Sequence, residues 1–182
     1  SGDKFQIPDM LANRDDTYNL GDIIGGAEEA FELSYLENCL TTNAILAPVA
    51  TRSQQDFYRL IRIAEGDDES RSELEHPYSA LELEDMCKVI RHLRTIQSAI
   101  LKVNMAYIES AGMADDFRVE PAFKLQGSYR NMAKLAEKIV PVMNDEELLQ
   151  ILVDHYVSES QTLTTGAEAN LLKFRHMIEI ET

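Results

Sequence analysis

Gly127, Ser128 and Arg130 form the pattern in this chain that is best suited to chemistry. They join a short extended segment to an amphipathic helix within FKLQGSYRNMAKLAEKIV, residues 123–140. Ser128 suits a helix N-cap, which places Arg130 in the first turn, where the partial positive charge of the helix disfavours a cation. We therefore expect an anionic partner, and phosphate suits both the guanidinium and the backbone N–H groups. The alternative is a surface arginine that extends into solvent.

Arg14 is a second candidate. It lies in the polar segment LANRDDTYN, which follows a short β-like piece at residues 5–7. A purely structural explanation is an ion pair with Asp9, Asp15 or Asp16. Exposed pairs contribute only about 0–1 kcal/mol, so stability gives little reason to place an arginine there.

The remaining sequence does not complete an active site. The 182 residues contain no Gly-x-x-x-x-Gly-Lys-Ser/Thr loop, no Gly-x-Ser-x-Gly elbow and no His-Glu-x-x-His. Glu73 and His76 match Glu-x-x-His once, whereas a di-iron bundle needs the motif twice, so we interpret the match as chance. His155 is interpreted as a solvent-facing residue beside a core tyrosine, Tyr156. No metal site is predicted.

Composition limits the possible partners. The formal net charge is −15 and the isoelectric point is near 4.6, so we expect no direct binding to nucleic acid and no attraction to anionic membranes. Cys39 and Cys87 lack metal-ligand spacing and are predicted to be buried thiols of a reducing compartment. No apolar run approaches the roughly 18 residues of a membrane span, and no signal-peptide pattern opens the chain. We expect a cytoplasmic protein.

Hydrophobic periodicity predicts a mainly α fold, a multi-helix bundle with one long central helix. Residues 1–24 are predicted to be non-helical and to end a strand-containing domain, whereas residues 25–182 are predicted to be helical. One helix is expected at 27–40 and a second from a cap at Thr51 to Gly66. Residues 67–75 are predicted to form an exposed, mobile acidic linker.

The predicted central helix begins at a capping box of Ser79 and Glu82. It continues for about 32 residues, hence about 48 Å, and needs several helices packed against it. Three shorter helices are predicted after a polar connection: 129–140, one capped by Asn144, and one capped by Thr165. The expected core includes Leu148, Leu149, Leu152 and Tyr156 in the second of these helices, and Leu171, Leu172, Met177 and Ile178 in the third.

Four stretches resemble the C-terminal part of a family of very large bacterial AAA+ ATPases, named for an involvement in DNA repair. They are DKFQIPDMLANRDDTYNLGDI, FKLQGSYRNMAKLAEKI, VMNDEEL and TLTTGAEANLLK. The similarity extends over the full 182 residues and is least distinctive at 66–122. The long helix after Ser79 departs from a minimal AAA+ lid.

The resemblance implies a place within such an ATPase. Residues 1–24 would form the edge of the nucleotide-binding core, and 25–182 the helical lid. Gly127, Ser128 and Arg130 would be the sensor-2 turn that reaches bound nucleotide, and Arg14 the arginine finger of a neighbouring site. ATP and Mg²⁺ would bind in the intact parent, a homo-oligomer with its AAA+ core upstream. This chain alone would hold neither and would be inactive.

A second hypothesis is a non-catalytic, acidic helical module that binds a basic protein partner. The acidic linker and the long helix favour it. In that case Arg130 would serve structure alone, paired with a carboxylate such as Glu137 or Asp145.

Overall fold

The computed structural model describes residues 20–114, 116 and 118–179, with side chains from residue 28 onward. These residues are mainly helical and contain no strand, which confirms the predicted fold class. The elements are α1 (Leu20–Glu37), α2 (Ala47–Arg52), α3 (Gln54–Ala64), a 3₁₀ helix (Asp68–Glu73), α4 (Ala80–Ala111), α5 (Tyr129–Ala136), α6 (Asp145–Ser160) and α7 (Ala167–Glu179).

Helix α4 organises the bundle. Its 32 residues begin at the predicted capping box, in which the Ser79 hydroxyl accepts from the Glu82 N–H and the Glu82 carboxylate accepts from the Ser79 N–H. Helices α1, α3, α5, α6 and α7 all pack against it. The predicted need for several partners along its length is therefore confirmed.

The first helices begin at other residues than predicted. Helix α1 starts at Leu20, before the predicted division at residues 24 and 25. Glycines disfavour a helix by about 1 kcal/mol each, yet Gly21, Gly25 and Gly26 all lie within α1. Thr51 lies inside α2, where its hydroxyl donates to the Pro48 carbonyl, and α3 begins after Ser53.

The acidic segment after α3 is mostly exposed, as predicted, but it forms a 3₁₀ helix packed on α3 instead of a free linker. Ser70 is buried and accepts a hydrogen bond from Arg62 Nε at 3.1 Å. Buried Asp56 accepts from the backbone N–H groups of Glu75 and His76, at 2.8 and 3.0 Å. These hydrogen bonds fix the position of a segment whose acidic, serine-rich composition is typical of a solvent-exposed loop.

The last three helices follow the prediction with local differences. Helix α5 ends at Ala136 instead of Val140, because the buried Asn43 amide donates to the carbonyls of Ala136 and Ile139. Asn144 caps α6 as predicted, whereas α7 begins at Ala167, two residues after Thr165.

Two predicted core leucines lie at the surface. Leu149 is 38% exposed and Leu172 is 69% exposed, while Asn170 and Phe174 are the residues that α7 buries together with Ile178. Both predicted cysteine positions are buried, with free thiols.

An extended segment, residues 122–128, crosses the bundle between α4 and α5. Phe123, Leu125 and Gly127 are buried, and Lys124 and Gln126 between them are exposed. This alternation is typical of a strand, yet the described residues offer no neighbouring strand.

Side chains from the helices satisfy the backbone of this extended segment. The Ser110 hydroxyl accepts from the Phe123 N–H at 2.8 Å. Asn170 accepts from the Lys124 N–H at 2.6 Å and donates to the Ala122 carbonyl at 3.1 Å. Two tyrosine hydroxyls donate to its last carbonyls, at 2.9 Å to Gln126 from Tyr156 and at 2.6 Å to Gly127 from Tyr35.

Gly127 is where the extended segment touches α4. A Cβ atom at this position would lie 2.1 Å from the Ile100 carbonyl oxygen and 2.8 Å from the Asn104 backbone nitrogen. Both are backbone atoms of a helix and cannot move aside independently. Glycine is therefore required by packing here.

We predict that Gly127→Ala lowers the free energy of unfolding by about 2–3 kcal/mol or more, because the added methyl group overpacks the contact with α4. Gly112→Ala is the matched control, since a Cβ there would meet its nearest atoms at 3.7 Å, and we expect a change within about 1 kcal/mol. Chemical denaturation of both variants measures the difference. Equal stability of the two would contradict the packing role of Gly127.

Candidate functional site

A polar cleft of about 380 Å³ opens where the extended segment, α5 and the end of α6 meet. Arg130 and Glu159 lie on one wall and Lys124 on another. The connection that leads into α7 also lines the cleft, with Thr162, Leu163, Thr164 and Thr165.

Arg130 occupies the second position of α5, after the Ser128 cap. Its Nη2 atom donates to Glu159 Oε1 at 3.2 Å, and its side chain is still 56% exposed. The arginine is thus paired with an acid, though with neither Glu137 nor Asp145, and it also faces an open cleft. The ion pair is the feature expected of a structural arginine, and the open cleft is the feature expected of a nucleotide sensor.

Among the residues that the structure describes, the charged groups that line the cleft are Lys124, Arg130 and Glu159. They carry two positive charges and one negative charge, which leaves one excess positive charge. The whole chain carries −15. The cleft is thus a local exception to an acidic protein, and its electrostatics suit an anion.

A buried network fixes Glu159 from behind. Asn131 is fully buried, and its Oδ1 accepts from the Ser128 N–H at 3.0 Å. This contact orients the amide, so that Nδ2 donates to Glu159 Oε1 at 3.1 Å and to His155 Nε2 at 2.9 Å. His155 must then accept at Nε2, which requires the neutral imidazole with its proton on Nδ1.

His155 is buried, which corrects its prediction as a solvent-facing residue. Burial lowers the pKa of His155 to about 4. The carboxylate of Glu159 raises this pKa, whereas the positive charges of Lys134, Lys138 and Arg130 lower it. The ring is therefore neutral near pH 7, and it serves as a hydrogen-bond acceptor in the network.

The predicted site residues do lie together, but they face different surroundings. Gly127 is buried against α4, and Ser128 is engaged in a capping box with Asn131. Only Arg130 of the three reaches the cleft. Arg14 lies outside the described residues.

Sequence reasoning missed Lys124, Glu159 and the threonines of the cleft. One signal could have found Glu159, since residues four apart on a helix share a face, and Glu159 follows His155 by four on α6. Nothing in the local sequence joins α6 to the first turn of α5, because that contact depends on the tertiary fold.

Comparison with known proteins gives no match. No family model, no curated protein and no solved structure matches this chain. Among the helices within residues 20–114, 116 and 118–179, none combines the length and the hydropathy of a membrane-spanning helix. The same residues contain no group of three or more His, Cys, Asp or Glu side chains arranged to hold a metal ion.

We predict that His155 makes stability depend on pH. Its pKa is lower in the folded state, at about 4, than the ordinary value near 6.5 in the unfolded chain. Its contribution is therefore complete above about pH 6.5 and is lost as pH falls towards 4, by an amount on the order of 2 kcal/mol. Denaturation of His155→Gln between pH 7 and 4.5 should show a smaller loss than the wild type.

The control for this comparison is His176→Gln, at an exposed position of α7, which should keep the wild-type pH dependence. Identical pH profiles of His155→Gln and the wild type would contradict a buried neutral imidazole.

Proposed function

We propose that this chain is the helical lid and C-terminal module of an AAA+ ATPase, in which Arg130 senses the bound nucleotide. The observation that carries the proposal is the position of Arg130. Its exposed guanidinium lies at the start of a helix and lines a cleft to which Lys124 also contributes a positive charge. A phosphate in this cleft would find two cationic side chains, Lys124 and Arg130, among its lining residues.

The residues around the cleft fit a phosphate and do not fit Mg²⁺. Lys124 and Arg130 suit an anion. Glu159 is the single carboxylate that the described part of the chain contributes to the cleft, and Mg²⁺ prefers several oxygen ligands. Ligands for Mg²⁺, the phosphate-binding loop and any arginine finger at Arg14 would therefore belong to the nucleotide-binding core. In this proposal the parent is a cytoplasmic homo-oligomer, and an involvement in DNA repair would be a property of the whole assembly.

The contacts around Arg130 could transmit a conformational change from a bound nucleotide to the helices of the lid. A displacement of Arg130 would be transmitted to α5. Asn131, the residue after Arg130, is hydrogen-bonded to His155 and Glu159 of α6. Gly127 joins the same turn to α4. A change at the cleft would therefore move α4, α5 and α6 together, as a lid that rotates as one body requires.

We predict that Arg130→Ala in the intact ATPase lowers ATP turnover at least tenfold, about 1.4 kcal/mol of transition-state stabilisation. Arg175→Ala, an exposed cation of α7 outside the cleft, should leave turnover unchanged. Steady-state hydrolysis assays of both variants measure this. Normal turnover of Arg130→Ala, or the lack of a Gly-x-x-x-x-Gly-Lys-Ser/Thr loop in the parent, would refute the proposal.

A second function, an acidic module that binds a basic partner, is favoured by a different surface. A groove of about 530 Å³ lies between α4, α6 and α7, with an apolar floor that includes Leu148, Leu152 and Ile178. Asp145 and Glu146 lie at its rim, together with the half-exposed Leu149. Such a groove suits an apolar side chain flanked by lysines or arginines.

Under this second function, Leu149→Lys should weaken binding of an amphipathic Leu/Lys peptide at least fivefold, because a cation would enter the groove. Leu172→Lys makes the same change in charge at an exposed leucine outside the groove and should bind as the wild type does. Fluorescence anisotropy with a labelled peptide, and with a scrambled peptide of equal composition, measures both. Equal affinity of the two variants would exclude the groove.

A further inference from the structure

The Arg130–Glu159 pair places a negative charge inside the cleft that would receive an anion. Glu159 is the only acid among the described residues that line the cleft. Its side chain is 20% exposed, against 56% for Arg130. The carboxylate is therefore the more firmly enclosed partner, and the arginine is the one with freedom to turn.

Asn131 holds Glu159 independently of Arg130. Its Nδ2 donates to the same Oε1 atom that Arg130 contacts, and its Oδ1 is fixed by the Ser128 N–H. If Arg130 turned away, the carboxylate would keep this one hydrogen bond and its position. Glu159 would thus keep its position next to Arg130 even when the arginine binds another group.

The contact of Arg130 with Glu159 uses one end of the guanidinium. Nη2 alone lies within hydrogen-bond distance of the carboxylate, at 3.2 Å, in place of the two parallel bonds of a bidentate pair. A guanidinium has five N–H donors, so other donors can reach an anion. An anion that binds there meets the carboxylate at close range, and the two negative charges repel.

We propose that Glu159 competes with an incoming phosphate for Arg130, so that the Arg130–Glu159 pair is the ligand-free state of the cleft. This inference rests on the proposed function and adds a regulating residue to it. Nucleotide would have to displace or outweigh the carboxylate, and only a ligand that also meets Lys124 and the nucleotide-binding core would do so strongly. The pair would keep single phosphate ions from occupying the sensor.

The test uses Glu159→Gln in this 182-residue chain, with tripolyphosphate as the probe. Glutamine keeps an oxygen that accepts from Asn131, so the substitution removes the charge and preserves the buried network. The amide resonances of residues 162–165 report binding by NMR titration. Ionic strength is held constant, because screening alone would change the affinity. Without the nucleotide-binding core, the wild-type cleft should bind tripolyphosphate only weakly, with a dissociation constant in the millimolar range.

Glu146→Gln is the matched control. It removes the same charge from the same helix, 13 positions away and hence about 20 Å along α6. Exposed ion pairs contribute up to about 1 kcal/mol, so we expect Glu159→Gln to bind tripolyphosphate about three- to fivefold more tightly than the wild type. Glu146→Gln should stay within twofold, and Arg130→Gln should lose the binding.

The outcomes separate this inference from the function on which it rests. Tighter binding by Glu159→Gln alone supports competition. Unchanged or weaker binding, with a clear wild-type titration that needs Arg130, overturns competition and leaves the proposed function in place. Equal tightening by Glu146→Gln also overturns competition, since net charge would then explain the effect. No titration in any variant overturns the competition and removes the cleft as support for nucleotide sensing.

Discussion

The structure depends on one constraint, the need to satisfy the buried backbone of the extended segment at 122–128. An unpaired backbone group in a protein interior costs about 1–3 kcal/mol, and the segment has no strand beside it among the described residues. Four helices each supply a side chain instead: Tyr35 from α1, Ser110 from α4, Tyr156 from α6 and Asn170 from α7. Burial raises the pKa of both tyrosines well above their ordinary value, so their hydroxyls remain donors. The segment therefore fixes how four helices are placed around it, and the cleft forms along its exposed edge.

The same arrangement explains why an acidic protein contains a positive cleft. Lys124 faces outward because alternation along the extended segment buries Phe123 and Leu125 on the other side. Arg130 faces the same space because Ser128 caps α5 directly after the segment. Two cations thus converge for reasons of backbone geometry, and one partly enclosed carboxylate offsets only one of the two positive charges. The electrostatics of the cleft follow from the path of the chain more than from its composition.

Much of the fold was predictable because its signals are local. The capping boxes at Ser79 and Asn144 fixed two helix starts, and apolar spacing identified the length of α4. What sequence reasoning missed are buried polar residues whose partners are distant: Asp56, Asn170 and His155. Each has a local pattern typical of surface, and each is buried because it satisfies backbone or side-chain groups elsewhere. For the same reason Arg130 could be singled out from its position on a helix, whereas its pairing with Glu159, 29 residues away, could not be predicted.

The length of α4 has a mechanical consequence. Tyr107, near its C-terminal end, lines the cleft, while Arg52 pairs with Glu82 near its N-terminal end. A rigid rod of about 48 Å that tilts by about 10° around one end carries the other end through about 8 Å. Small rearrangements beside Tyr107 would thus be amplified into large displacements of α2, α3 and the 3₁₀ helix. In a tilt about the cleft end, the cleft would lie at the pivot and the far end of α4 would travel furthest.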